Sequence, residues 1–171
     1  MKLFIAAVVL TLGVVGQSRA EMSPIAFLEK YGTPIGGHHK LTHVQHGRPA
    51  YRARHGVRAM VAASARRHGV PVSLALGVAH VESGFRPRWN GVAAGVMQIR
   101  PATARSVGCS GRVHDLMRTS YGVECGMRYL ALVWHHAGSR YRAAALYTQG
   151  IGARRVSRAG AHYARMVLAA Q

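Results

Sequence analysis

From Pro71 to Gly91 the chain runs an apolar helical pattern into a carboxyl and then breaks into glycine and proline. No other stretch constrains the fold as strongly. Pro71 suits a first helical turn, where its missing N–H is no loss. At 100 degrees per residue, Val72, Ala75, Leu76 and Ala79 fall on one face. Glu82 lands on the edge of that stripe, beside Ala75 and Ala79. Gly84, Pro87 and Gly91 then turn the chain into a loop. A carboxyl at the rim of an apolar face loses solvation, which disfavours its ionised form and raises its pKa. A carboxylic acid protonated near neutral pH is the group that donates to a leaving oxygen in glycosidic cleavage. Position alone also permits a structural glutamate, paired with Arg86 for example.

The rest of the chain reads as one mainly α domain. Val57, Met60, Val61 and Ala65 recur at helical spacing over about 51–68, and Gly69 ends that helix. A short helix begins around Gln98 to Pro101 and continues through Thr103 and Ala104. Another covers Val123 to Ala137, with Met127, Leu130, Ala131 and Trp134 on one side and Gly138 as its stop. An alanine-rich helix runs from Arg140 to Tyr147. An amphipathic one around Tyr163, Met166 and Val167 spans His162 to Ala170. No alternating strand pattern of useful length appears.

Residues 21–50 carry Pro24, Gly32, Pro34, Gly36, Gly37 and Pro49 and read as a linker or N-terminal extension to a domain over 51–171. His38, His39, His43 and His46 crowd this segment. Histidine tracts bind metal, but with no acidic or cysteine partner in a fixed element the polar-linker reading is preferred, and neither metal nor cofactor is expected. Ahead of it, Met1-Lys2 precedes a 14-residue apolar run, Leu3–Gly16, and then Ser18-Arg19-Ala20. That length is short for a membrane span and suits a secretory leader over 1–20, with an uncleaved anchor as the alternative. The expected location is the periplasm or cell envelope.

Charge narrows the partners. The chain holds 23 basic and 5 acidic residues, and 20 of the basic ones are arginine, so long-range attraction to polyanions follows whatever its activity. For an exported chain those are wall-polymer carboxylates or headgroups. Nucleic acid stays open, but no nucleic-acid motif interleaves aromatics with arginines, and no specific nucleic-acid partner is expected. Cys109 and Cys125 are the two cysteines. An even count in an exported chain favours one disulfide, worth roughly 3 kcal/mol for a loop of about 16 residues; two buried thiols are the alternative.

The ordered motifs decide between the readings of Glu82. Gly69-Val70-Pro71, then Ala75 through Phe85 with its Glu82-Ser83 pair, resembles the first motif of the soluble lytic transglycosylase family, related to goose-type lysozyme. Gly95-Val96-Met97-Gln98-Ile99 followed by Pro101-Ala102-Thr103-Ala104 looks like the second. Gly126-Met127-Arg128-Tyr129-Leu130 is similar to the third, and Leu146-Tyr147-Thr148-Gln149-Gly150 falls where the family has Ala-Tyr-Asn-x-Gly. Tyr163 resembles a late groove tyrosine. The match runs in order over about 57–168.

The resemblance implies a lysozyme-like helical domain with a substrate groove. It implies cleavage of the β-1,4 bond between N-acetylmuramic acid and N-acetylglucosamine in peptidoglycan glycan strands, with 1,6-anhydromuramoyl ends. By the same resemblance Glu82 is both acid and base, and Ser83 supports the turn or the glutamate. Gln98 bonds the sugar acetamido group, Met97 lines the same wall, and Tyr147 hydrogen-bonds near Glu82. Ordinary core packing is the alternative for Met97 and Tyr147. A two-carboxylate glycosidase would need a second acid, and Asp115, Glu124, Glu21 and Glu29 sit in no glycosidase-like motif. The chain departs from the family pattern at Thr148 in place of Asn, at Gly122 in place of Asn, and in a short loop from Phe85 to Ala94. The rival readings are a lysozyme-type hydrolase and a cationic wall- or DNA-binding protein on the same scaffold. A monomer is expected. Service to a secretion or conjugation apparatus is as compatible with the sequence as general wall turnover.

Overall fold

The computed structural model describes residues 50–170; the expected leader over 1–20, the expected linker over 21–50 up to residue 49, and the four histidines lie outside the described residues. Seven helices and one minimal hairpin make up the described part: α1 (Ala50–Arg67), α2 (Val72–Ser83), β1 (Arg88–Trp89), β2 (Ala94–Gly95), α3 (Pro101–Ser106), α4 (Val113–Met117), α5 (Thr119–Ala137), α6 (Arg140–Gln149) and α7 (Arg158–Ala169). The protein is mainly α, as the periodicity predicts. No helix among the described residues is long and apolar enough to cross a membrane.

The core forms around α2 and α5. Leu74, Ala75, Val78 and Ala79 of α2 are buried with Met127, Leu130 and Val133 of α5 and Leu146 of α6. The buried stripe of α2 is therefore rotated from the expected one: Val72 and Leu76 are only partly buried, and Leu74 and Val78 replace them. Packing on more than one side makes this helix apolar nearly all round, and a single-face phase calculation is weak for such a helix.

Two glycines set how closely helices approach. A Cβ on Gly77 would run into the backbone carbonyl of Val167, so α7 lies directly against α2. A Cβ on Gly126 would meet the Met97 side chain at 2.5 Å, so α5 lies on the turn after β2. Gly122 plays a similar part against the Leu116 carbonyl. A side chain there would displace α4, whatever amide contacts an asparagine makes elsewhere.

The hairpin pairs Arg88 with Gly95 and Trp89 with Ala94, antiparallel. Two-residue strands leave no alternation to read in a sequence. Helix α4 is a single turn and likewise carries no period to read, although it buries Leu116. Helices α5 and α7 each begin four residues earlier than the apolar pattern, at Thr119 and Arg158. Cys109 and Cys125 form a disulfide, Cα–Cα 6.1 Å, which ties the segment after α3 to α5.

Candidate active site

Glu82 sits in the last turn of α2, which closes on Gly84 in the left-handed region (φ 60°) with its N–H donating to the His80 carbonyl. Glycine carries no Cβ penalty there. Phe85 follows at φ 63°, a conformation costing about 1–3 kcal/mol for a side-chain-bearing residue. Its ring is held at 5.8 Å from that of His80 and under the Arg58 guanidinium at 4.7 Å. The sharp exit throws the chain away from the helix axis and leaves Glu82 beside a pocket.

That pocket has a volume of about 500 Å³ and is lined by Glu82, Asn90, Gln98, Tyr129, Tyr147 and Thr148, among others. Glu82 is half-buried. Burial pushes its carboxyl above the usual range, and a hydrogen bond from Tyr163 pulls part of that back. The Tyr163 hydroxyl donates to Glu82 Oε1 at 2.6 Å. Burial, then the neighbouring Glu82 charge, pushes the Tyr163 phenol far above its ordinary value, so it stays a neutral donor. No arginine pairs with Glu82; the structural pairing to Arg86 is absent among the described residues.

Three expected site residues make contacts that choose among the roles left open for them: Ser83 supports the turn, Met97 packs in the core, and Tyr147 bonds to the backbone beside the pocket. Tyr147 is buried, and its hydroxyl donates to the Met97 carbonyl at 2.8 Å; the hydrogen bond to Glu82 comes from Tyr163 instead. Met97 is fully buried under Gly126 and does not line the pocket wall. Ser83 is buried too, donating to the Val96 carbonyl at 2.6 Å and accepting from the Arg86 N–H at 3.2 Å. It thus binds the turn to the next motif and does not touch the carboxyl. Gln98 does line the pocket. It adopts φ 46°, and its Nε2 donates to the carbonyls of Arg88 and Gly95, each at 2.8 Å. The amide's two N–H groups are spent inside the hairpin. Its oxygen is the remaining hydrogen-bonding group.

Sequence reasoning did not single out Tyr129, Asn90 or Gln149. The Tyr129 ring lies tilted against that of Tyr147, centroids 5.3 Å apart, on the pocket wall, and its place within Gly126–Leu130 is the available signal. Asn90 Oδ1 accepts from the N–H groups of Val92 and Ala93, at 2.9 and 2.8 Å, and shapes the hairpin turn. Gln149 donates to the Arg155 carbonyl at 3.2 Å and accepts from Ser157 N–H at 3.1 Å. It sets the connection that starts α7 and so delivers Tyr163. Only tertiary contacts reveal that role.

The other two described carboxylates are engaged elsewhere. Asp115 binds Ser110 and Arg112, which hold it below its ordinary value. Glu124 lies 2.6 Å from His68 Nε2, 3.1 Å from Ser64 Oγ and 3.2 Å from Arg67. Burial works to raise its pKa but is outweighed by His68, Arg67 and Ser64, which bring it down to about 2. Neither acid lines the Glu82 pocket. Among the described residues no group of three His, Cys, Asp or Glu could hold a metal ion.

A mainly helical, lysozyme-like domain with one desolvated carboxyl in a polar pocket defines the class. The model of the transglycosylase SLT domain family matches residues 59–165, and the chain belongs to that family. The match spans α2 through most of α7 and includes every residue of the pocket. Comparison with curated proteins and with solved structures gave no match. Family membership makes this a peptidoglycan-acting protein of the lytic transglycosylase type, and its substrate lies outside the cytoplasm.

Proposed function

We propose that the protein is an exported lytic transglycosylase that cuts the β-1,4 bond between N-acetylmuramic acid and N-acetylglucosamine and leaves 1,6-anhydromuramoyl ends. The observation that carries this reading is Glu82 itself: one half-buried carboxyl in the pocket, hydrogen-bonded by a neutral tyrosine, with the other described acids engaged elsewhere. Protonated Glu82 gives its proton to the glycosidic oxygen as the C1–O bond breaks. The acetamido oxygen of the same sugar stabilises the positive charge at C1. The Glu82 carboxylate then takes the proton of the muramic 6-hydroxyl, whose oxygen bonds to C1. Glu82 ends protonated, and no water enters the product. A second carboxylate is not needed for this sequence, whereas a two-carboxylate retaining site needs one about 5 Å away.

Gln98 fits the role of acetamido partner, with its side-chain oxygen accepting the acetamido N–H. Tyr163 is a positioning residue for Glu82. The leader over 1–20, a linker over 21–50 and a periplasmic or envelope location complete the proposal, as does action as a monomer. Service to a secretion or conjugation apparatus is compatible with it.

The test is digestion of purified sacculi by wild type and Glu82→Gln, with mass analysis of the released muropeptides. Anhydro ends from wild type and none from the variant are expected, with a loss of at least about 10²-fold for a general acid–base group. Reducing ends would instead make it a lysozyme-type hydrolase. Salt-sensitive retention on sacculi by both proteins with no turnover would make it a cationic wall-binding protein.

A further inference from the structure

Ile99, Arg100 and Thr103 form one wall of the Glu82 pocket, and they belong to a segment with little apolar anchoring of its own. In α3 only Ala104 is buried, while Ala102, Arg105 and Ser106 are exposed. Val107 is the one further side chain buried before Cys109. Most of the core lies in α2, α5 and α6 instead.

The segment is fastened at both ends. At its front, Ile99 and Ala94 exchange backbone hydrogen bonds at 3.0 and 3.1 Å. At its rear, Cys109 is bonded to Cys125, which is fully buried in α5. The two ends move together. The Cys109 N–H donates to the Ala104 carbonyl at 2.9 Å. Gly111 lies so close to Pro101, the residue after Arg100, that a Cβ would meet the Pro101 carbonyl at 2.6 Å. The other links at the rear run from Ser110 to the Tyr121 hydroxyl and to Asp115, each at 2.8 Å. Both are exposed to water, where a hydrogen bond adds little. The disulfide is the buried one of these rear ties.

We propose that this disulfide is a redox switch on the pocket: oxidised, it fixes the wall of Arg100 and Thr103, and reduced, it frees that wall while the helical core stays folded. The inference rests on the reading of the pocket as a glycan site and of the chain as exported. The oxidant is a disulfide-bearing protein or small molecule outside the cytoplasm. One cysteine thiolate attacks a sulfur of that disulfide, and the second thiolate then attacks the mixed disulfide. The Cys109–Cys125 bond forms, two protons leave the cysteines, and the oxidant takes two electrons to become a dithiol. Thiols stay reduced in the cytoplasm, so the chain made there has a loose wall, and export tightens it. Arg100 and Thr103 face bound sugar and hold no proton of Glu82, so the switch acts on KM more than on kcat.

The test compares oxidised protein, protein reduced with dithiothreitol, and Cys109→Ala, which keeps the buried Cys125 side chain in α5. Amide hydrogen exchange at Ala104, Val107 and Cys109 is expected to be at least about tenfold faster after reduction, since the loop constraint is lost, with Val78 and Leu146 unchanged. The far-UV helical signal should persist. On sacculi the KM of reduced protein should rise severalfold and return on reoxidation. Cys109→Ala, whose own residue 109 probe is absent, should match reduced protein at every redox ratio. Equal exchange in the two states would overturn the switch. So would unchanged KM on reduction, a Cys109→Ala that still responds to dithiothreitol, or loss of the helical signal together with activity, which would make the bond a staple of the whole fold. If oxidised wild type turns over no sacculi, the transglycosylase reading fails, while the exchange comparison still decides whether reduction frees the wall.

Discussion

At the residue scale, the activity proposed for Glu82 rests on a balance of two opposed effects. Burial raises the pKa of its carboxyl, and the Tyr163 hydrogen bond lowers it. Tyr163→Phe removes only the second. The alkaline limb of kcat/KM, set by the acid's ionisation, should then move to higher pH, while kcat falls roughly tenfold as the carboxyl loses its orientation. An unshifted limb would mean that Tyr163 does not govern the titration. A second expectation concerns stability. A group whose folded pKa is raised contributes stability below its unfolded value and loses it as pH rises through the folded one. Glu82→Gln lacks that loss, so its melting temperature relative to wild type should climb as pH rises from the ordinary carboxylate value of 4.5 through the raised folded one. A constant difference across that range would show that Glu82 titrates normally. Thr148, which stands where the family pattern has asparagine, is exposed on the pocket wall and affects neither expectation.

At the scale of elements, the site depends on the contact between α2 and α7. Glu82 and Tyr163 are 81 residues apart, and they meet because Gly77 lets the Val167 carbonyl approach. Gly77→Ala tests this with two effects of known size. Alanine favours the helix by about 1 kcal/mol, and a clash with an unyielding backbone carbonyl costs about 1–3 kcal/mol. The clash should win, lowering the melting temperature and cutting activity more than Tyr163→Phe does, because the whole helix moves. A stabilised, fully active variant would remove Gly77 from the account. The same glycines explain why helix starts were hard to read. Gly122 sits in the first turn of α5 and Gly160 in that of α7, where a Cβ would meet Leu116 or Gln149. Glycine weakens a helical pattern in the sequence, yet here it marks close approach. Ser157, whose hydroxyl accepts from Gly160 N–H at 3.1 Å, was the legible sign that α7 begins early.

For the whole molecule, the acid limit of stability lies away from the active site. Glu124 joins α5 to α1 through His68, Ser64 and Arg67 and titrates at about 2 instead of 4.5. A depressed carboxylate contributes stability above its unfolded pKa and loses it as pH falls through the folded one. Wild type should therefore lose stability between about pH 4.5 and pH 2, and Glu124→Gln should be less stable at pH 7 but flatter through that window. Parallel curves for the two proteins would place the acid limit elsewhere. The sequence by itself determined the mainly helical class, the place of Glu82 at a helix end, and the order of motifs that defines the family. These are local or linear properties, carried by periodicity, by glycine and proline, and by spacing. Only the tertiary structure decided that Tyr163 and not Tyr147 holds the glutamate, that Met97 belongs to the core, and that Glu124 is structural. Those partners lie tens of residues apart, and which of them meet depends on helix rotation and on how closely the glycines let backbones pack.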